Sequence, residues 1–227
     1  MADYEFDVLT KYYNTPHKYM VYDGCVNCIG RWDLPIDNDH NDYVVVWLYK
    51  LKNLPNIEQK YWRTYNIEPS HKKGISKAMY DRSVMGRLSN PISPDLYFKQ
   101  KYNKLNKSWD KKYGWNLFLP LTKADEHNFF SLRGLTSDNQ KEFDEGVLSL
   151  AKILIDSLNE VEFSKEIQTL ENDKGIDKFE KYLKSKNFEC YESVNFLRDL
   201  QKLRSSSSAH RKSRNTEKQN KLLSLFW

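Results

Sequence analysis

The sequence predicts an α+β fold that is mostly helical, with a strand-containing region over residues 1–121 and an all-helical bundle over residues 122–227. β-Branched and aromatic residues are concentrated in the first sixty positions, which is typical of strands. From position 98 onward, apolar residues recur at helical spacing. A chain of 227 residues with 32 aromatic side chains has enough apolar area to form a substantial core.

Two segments near the N terminus have the composition of strands. They cover residues 18–32 and 43–52, and the stretch between them, 33–42, is dominated by the turn formers Asp, Asn and Pro. We therefore expect a β-hairpin with a long polar loop.

That polar loop has some features of a calcium site but lacks others. Asp37, Asp39 and Asn41 have the alternating spacing of calcium ligands. However, Asp42 stands where the calcium loop needs glycine, and Leu48 stands where it needs a bidentate glutamate. We therefore do not expect calcium binding.

Two short helices are predicted over 57–65 and 75–88, and the Asn90-Pro91 and Ser93-Pro94 pairs close this segment. A longer amphipathic helix follows and ends at Gly114. Its apolar stripe consists of Phe98, Tyr102, Leu105, Trp109 and Tyr113.

Six lysines fall largely outside this stripe, namely Lys99, Lys101, Lys104, Lys107, Lys111 and Lys112. Aromatic rings interleaved with lysines could stack on the bases of a nucleic acid. A core-facing stripe with solvated lysines is the more usual arrangement in soluble helices, and we favour it here.

After a short strand-like piece over 115–121, only helices are predicted. Ser137 and Gln140 form a capping box at the start of the first. Its apolar stripe contains Phe143, Val147, Leu150, Ala151, Leu154 and Leu158, widened by Leu148 and Ile155, and it ends near Glu160. A second helix covers 176–186, and a third begins near Glu192 and presents Phe196, Leu200 and Leu203 on one face.

Several classes of protein are excluded by composition. The eight glycines are too widely spaced for a dinucleotide-binding or P-loop motif, and the longest apolar run, 44–49, is too short to span a membrane. The acidic start does not resemble a secretory signal, and three cysteines are too few for a disulfide-rich domain. We expect a cytoplasmic protein with no membrane partner.

The positive charge of the chain is concentrated near its C terminus. Residues 198–221 contain eight basic and two acidic side chains, a net charge of +6, whereas the whole chain has +5. Such a segment suits an anionic partner such as RNA, because neutralised phosphates release their counterions. A solvated basic tail is the alternative interpretation.

Two other groups of residues could carry chemistry. Cys25 and Cys28 have the spacing of a metal knuckle, but no second pair of ligands completes a zinc site, so we favour two small side chains in a sheet. Asp125, Glu126 and His127 could act as acids and bases, but no metal-ligand spacing surrounds them. We interpret them as a polar turn.

The strongest candidate site is the pair Arg204 and His210, which lies at the end of the last predicted helix and within the basic segment. In an ideal helix the two residues would be about 9 Å apart along the axis and about 240° apart around it. Because serine has a low helix propensity, we expect the helix to end within 205–208, so that His210 turns back towards Arg204.

This segment resembles the RxxxxH-type motif of the HEPN superfamily, many members of which are metal-independent ribonucleases of toxin and antiviral defence systems. Arg204 matches the arginine of the motif and His210 matches its histidine. The order of helices from about Ser137 to the C terminus is also similar. Ser205 departs from the pattern, since active members often have Asn, Asp or His there. The resemblance implies a homodimer in which two motifs face one scissile phosphate.

The predicted function is therefore metal-independent cleavage of RNA, without a cofactor. His210 would serve as acid and base, and Arg204 would stabilise the charge on the phosphate. The predicted RNA contacts are Ser206, Ser207, Arg211, Lys212 and Arg214. The alternatives are a non-catalytic RNA-binding or dimerisation module, and a sensor whose N-terminal half binds a ligand or an inhibitory or sensor protein.

Overall fold

The computed structural model describes residues 1–68, 74–135 and 139–209, and the side chains of 207–209 are outside this description. The chain divides into two compact units: a sheet unit, residues 1–100, and a helical unit, residues 101–227. The predicted fold class, α+β and mostly helical, is confirmed, because about 53% of the chain is helical and an N-terminal antiparallel sheet precedes the helices. The sequence-based boundary at residue 121 lies inside the helical unit.

The sheet unit contains a six-stranded sheet in which all neighbours are antiparallel, with the order β2-β3-β4-β5-β1-β6. The strands are β1 Ala2–Glu5, β2 Tyr19–Tyr22, β3 Cys25–Cys28, β4 Trp32–Asp37, β5 Tyr43–Val46 and β6 Asn66–Ile67. Alternate side chains point to opposite faces of a strand, so Val26, Leu34 and Ile36 reach the core. Gly24, with φ of 82°, allows the tight turn between β2 and β3.

The region predicted as one hairpin contains more strands than we expected, and a short helix. The first segment forms β2 and β3, and the second forms β5 followed by the short helix α2, Leu48–Leu51. Half of the expected polar loop, residues 33–37, belongs to β4, despite Pro35. Pro35 lies opposite Cys25 of β3, whereas β5 pairs only with Ile36 and Asp37. The N–H that proline lacks therefore costs no hydrogen bond to β5.

The remaining helices of the sheet unit are short. A 3-10 turn, Phe6–Leu9, leads into α1 Thr10–Tyr13. Helix α3, Asn56–Thr64, lies between α2 and β6, and α4, Lys77–Ser83, follows β6. Helix α3 agrees with the prediction, whereas α4 is shorter than the predicted 75–88. The core contains Trp62, Tyr12 and Tyr19, with ring contacts such as Tyr4 against Trp62 at 5.1 Å.

Helix α5, Pro94–Tyr113, begins in the sheet unit and continues into the helical unit. It ends where predicted, and Gly114 has the positive φ, 78°, that a helix C terminus often needs. Trp109 is buried, which confirms the core-facing stripe. Leu105 is exposed and Lys99 is buried, so those two assignments were wrong.

The helical unit continues with α6 Glu126–Phe130, α7 Gln140–Ala151, a π-helical turn Lys152–Asp156, α8 Glu160–Glu166, α9 Gly175–Ser185 and α10 Tyr191–Ala209. Helix α9 agrees with the prediction, and α10 begins where predicted. Their core includes Phe163, Tyr182 and Leu197 together with Trp109 of α5. The predicted strand over 115–121 forms only a single bridge, between Phe118 and Leu158.

The first long helix of this unit differs from the prediction at both ends. Asn139 is its N-cap and accepts a hydrogen bond from the Lys141 backbone N–H at 2.9 Å, while the predicted cap, Ser137, lies outside the described residues. The π-helical turn changes the helical periodicity near the C terminus. Ile153, which was not part of the predicted stripe, is therefore fully buried.

Within the described residues, no helix combines the length and apolar character needed to cross a membrane.

Candidate nucleic-acid site at the end of the last helix

Packing between α10 and α7 sets the position of Arg204. Leu200 of α10 is buried against Val147 and Ala151 of α7. Residues four apart lie on the same face of a helix, so Arg204 follows Leu200 along the side that faces α7. Arg204 is thereby brought to the end of the π-helical turn, where Asp156 lies.

Arg204 and Asp156 form an ion pair. The Arg204 Nη1 atom donates a hydrogen bond to Asp156 Oδ1 at 2.6 Å, and the two side chains are 35% and 34% exposed. A charge-assisted hydrogen bond orients the guanidinium group while water still reaches both partners. Asp156 was not predicted from the sequence, because 48 residues separate it from Arg204 and no local motif links the two.

The serine run does not end the helix, contrary to our expectation. Helix α10 continues to Ala209. The Ser205 Oγ donates to the Gln201 carbonyl and the Ser206 Oγ donates to the Leu203 carbonyl, both at 2.9 Å. In this arrangement the hydroxyls bond to the preceding helical turn without interrupting the backbone. The bend that would have returned His210 towards Arg204 is therefore absent from residues 205–208.

The other predicted site residues are described only in part. Ser206 is exposed, as a phosphate contact must be, and Ser207 has a helical backbone. His210, Arg211, Lys212 and Arg214 lie outside the described residues.

Cys25 and Cys28, which have the spacing of a metal knuckle, lie on opposite faces of β3. They are three residues apart on β3, and side chains alternate between the faces of a strand. Cys28 is buried beside Val26, whereas Cys25 shares the other, half-buried face with Asn27. Burial, and then the nearby carboxylate of Asp33, raises the pKa of the Cys25 thiol. These positions agree with the interpretation as small side chains of a sheet.

The acidic group lies at the start of α6: Asp125 ends a polar turn, as the sequence favoured, whereas Glu126 and His127 are the first helical residues. Asp125 accepts a hydrogen bond from the Thr122 hydroxyl at 3.0 Å, and the His127 Nδ1 atom lies 2.7 Å from the Ala124 carbonyl oxygen. The Lys152 ammonium group is 3.3 Å from Asp125. The hydrogen bond from Thr122 and the contact with Lys152 lower the pKa of Asp125.

A buried polar loop after β4 was not anticipated. Asp37, Asn38 and Asp39 are all buried. The Asp37 Oδ2 atom accepts from the backbone N–H of Ser76, the N-cap of α4, at 2.6 Å. The Asp39 Oδ1 atom accepts from the backbone N–H of Ser93, directly before α5, at 2.7 Å. The loop therefore satisfies backbone donors at the starts of two helices.

The sheet unit also contains a buried carboxylate, Glu58. It accepts hydrogen bonds from the Lys11 ammonium group at 2.8 Å, from the Tyr12 hydroxyl at 2.8 Å and from the Tyr19 hydroxyl at 3.0 Å. Burial acts to raise the pKa of Glu58, but these hydrogen bonds outweigh it and hold the pKa below its usual value.

Lys99 of α5 is buried near Asp95, one turn earlier. Burial lowers the pKa of Lys99 to about 8, although the carboxylate of Asp95 opposes the change. The Lys99 ammonium group also lies 5.3 Å from the centre of the Tyr13 ring. The sequence pattern assigned Lys99 to the solvated face of α5. It carries no information about the rest of the sheet unit, which covers this turn of the helix.

Within the described residues, no group of three or more His, Cys, Asp or Glu side chains is arranged to hold a metal ion. Comparisons with protein-family models, with curated proteins and with solved structures find no match to the chain.

Proposed function

We propose that the helical unit is a metal-independent endoribonuclease that uses Arg204 and His210. The observation that supports this most is the ion pair between Arg204 and Asp156, at 2.6 Å. It holds a partly exposed guanidinium group within the basic segment. Arginine keeps its charge at every physiological pH and can bind two phosphate oxygens at once. An arginine held in place can therefore stabilise the negative charge that develops on a phosphate during cleavage.

The proposed reaction needs only groups that this chain and RNA supply. His210 takes the proton of a 2′-hydroxyl, the 2′ oxygen attacks the adjacent phosphorus, and the bond to the 5′ oxygen breaks. A protonated histidine supplies a proton to the departing 5′ oxygen. Arg204 stabilises the negative charge that develops on the phosphate oxygens. The products are a 2′,3′-cyclic phosphate and a 5′-hydroxyl.

The HEPN resemblance adds three further parts to the proposal. Two copies of the chain would bring two Arg204–His210 pairs to one phosphate, which supplies both an acid and a base. The role would be that of a toxin or antiviral-defence effector in the cytoplasm. Ser206, Ser207, Arg211, Lys212 and Arg214 would bind neighbouring phosphates.

A second candidate is a non-catalytic RNA-binding or dimerisation module, controlled by a sensor or inhibitory protein. The uninterrupted course of α10 to Ala209 favours it, because no bend within 205–208 returns His210 towards Arg204. In this case the basic segment would bind RNA without cleaving it.

The experiment that separates the candidates measures cleavage of a labelled single-stranded RNA by the 227-residue protein in EDTA. His210→Ala should lower the cleavage rate by about 10² to 10⁴, the usual contribution of a positioned acid or base, and should leave binding intact. Arg204→Ala should lower the rate by a similar factor and also weaken binding.

Arg133→Ala is the control, since Arg133 is another arginine of this unit near a carboxylate, 3.8 Å from Glu142, outside the basic segment. It should retain the wild-type rate. Cleavage that requires Mg²⁺, or that survives in His210→Ala, would refute the ribonuclease. Binding without any cleavage would favour the second candidate.

A further inference from the structure

The charges of the helical unit are unevenly distributed. Residues 101–113 of α5 have five lysines and one aspartate, a net charge of +4. Residues 114–209 have thirteen basic and seventeen acidic side chains, a net charge of −4. The described helical unit therefore has its excess of positive charge on one helix.

Ion pairing makes this contrast stronger. Eleven of the thirteen basic side chains in residues 114–209 lie within 4 Å of a carboxylate. In contrast, Lys104, Lys107 and Lys111 of α5 make no ion pair with any carboxylate of the described residues. All three are exposed to solvent. We call these three residues the α5 lysine face.

The geometry of α5 places these charges together. In a helix with 3.6 residues per turn, the three lysines fall within an arc of about 60° and span about 10 Å along the axis. Trp109 and Tyr113, which pack in the core, lie on the opposite side of the helix. The burial of these rings fixes the direction in which the α5 lysine face points.

We propose that the α5 lysine face binds the phosphate backbone of RNA, as a second contact surface in addition to the basic C-terminal segment. The inference rests on the RNA-binding part of the proposed function. A span of about 10 Å matches roughly three steps between successive phosphates at the duplex rise of about 3.4 Å per nucleotide. Because Trp109 and Tyr113, the aromatic residues of this part of α5, face the core, the contact is made to phosphates and not to bases, and it is independent of sequence.

The test measures binding of a labelled 2′-O-methyl RNA to the full chain at several salt concentrations. This RNA lacks the attacking hydroxyl, so the measurement reports binding whether or not the protein cleaves RNA. The test variant is the triple change Lys104→Gln, Lys107→Gln and Lys111→Gln. Glutamine has nearly the helix propensity of lysine, so α5 should stay folded, which circular dichroism would check.

The control is a triple change of Lys141, Lys165 and Lys184 to Gln. These lysines are 81%, 61% and 64% exposed and lie 3.7, 2.6 and 2.5 Å from their glutamate partners. The control removes the same charge from the same unit, so a general loss of electrostatic attraction would affect both variants equally.

The α5 variant should bind RNA roughly ten- to a hundredfold more weakly at 0.1 M salt, with a slope of log K against log salt that is smaller by about 2 units. The control should show much smaller changes. Equal effects of the two variants, or no binding of RNA by the wild-type protein, would overturn the inference. Binding that depends on the α5 lysine face, without cleavage of ordinary RNA, would leave it standing and refute only the ribonuclease.

Discussion

Glu58 is the residue on which the polar part of the sheet unit's core depends. Its carboxylate is 5% exposed and accepts hydrogen bonds from Lys11, Tyr12 and Tyr19. Tyr12 in turn accepts a hydrogen bond from the Trp62 indole at 2.8 Å. Each hydroxyl in this network is buried with a partner, so removal of the charge at its centre should be costly.

Replacing Glu58 with Gln should lower the free energy of unfolding by about 1.5–3 kcal/mol at pH 7, the usual value for hydrogen bonds to a charged group. The folded-state pKa of Glu58 lies below its ordinary value of 4.5. The stabilisation is therefore complete above pH 4.5 and is lost as the pH falls through the folded-state pKa. Urea unfolding of wild type and Glu58→Gln between pH 7 and 3 should show a difference that shrinks below 4.5.

Glu5→Gln provides the comparison for this prediction, because Glu5 is exposed on β1 of the same unit. It should change stability by less than about 0.5 kcal/mol. A difference between wild type and Glu58→Gln that stays constant to pH 3 would show that the carboxylate does not act through its charge.

Individual residues also show what a sequence pattern leaves undetermined. Helical spacing located Trp109 on the core side of α5, and burial confirms it. The same spacing could not identify Lys99 as buried, because burial at that turn depends on the surrounding sheet unit. Asp156 was missed for a similar reason, since its contact with Arg204 exists only after α7 and α10 have packed.

Among the elements, helices with long apolar stripes were predicted best. The end of α5, both ends of α9 and the start of α10 lie within one residue of the expected positions. Short strands were predicted less well: β1 and β6, with four and two residues, are too brief to show an alternating pattern. Their pairing is set by contacts between residues at least 38 positions apart in the sequence.

Helix α10 is the element in which local propensity was misleading. Serine is a poor helix former, but the fixed N-terminal part of α10 lowers the cost of adding further turns. The hydroxyls of Ser205 and Ser206 also find partners within the helix. A low propensity over a few residues did not outweigh these contributions.

Because α10 continues through the serine run, two changes at Ser206, an exposed position, should have different effects on stability. Ser206→Gly should be less stable than Ser206→Ala by up to about 1 kcal/mol, the difference between these residues inside a helix. The measurement is the free energy of unfolding in urea, with Cα chemical shifts to report helix content over 205–208. Equal stability of the two variants, with coil-like shifts, would mean that the helix ends earlier, as the sequence alone suggested.

For the whole molecule, the order of the two units could be predicted from the sequence, but the residue at which they divide could not. The first part of the chain has the composition of strands, and the later part has helical periodicity. This order predicted that the sheet precedes the helices. The compact units divide at residue 100 because α5 contributes side chains to both. A single continuous helix carries no change of composition at the division, so the sequence contained no signal for it.

The distribution of charge across the molecule was partly visible in the sequence. The basic segment near the C terminus could be found by counting residues. The α5 lysine face could not be distinguished from other lysine-rich helices until the ion pairs of α7 to α10 were known. Both surfaces belong to the helical unit, which also holds Arg204.

The most direct test of the central claim uses a DNA strand that contains a single ribonucleotide, incubated with the full chain in EDTA. If a 2′-hydroxyl is the nucleophile, the strand is cut only on the 3′ side of that ribonucleotide, and the upstream product ends in a 2′,3′-cyclic phosphate. Cleavage at deoxyribonucleotide positions, or no cleavage until Mg²⁺ is added, would contradict the proposal that Arg204 and His210 cleave RNA without a metal ion.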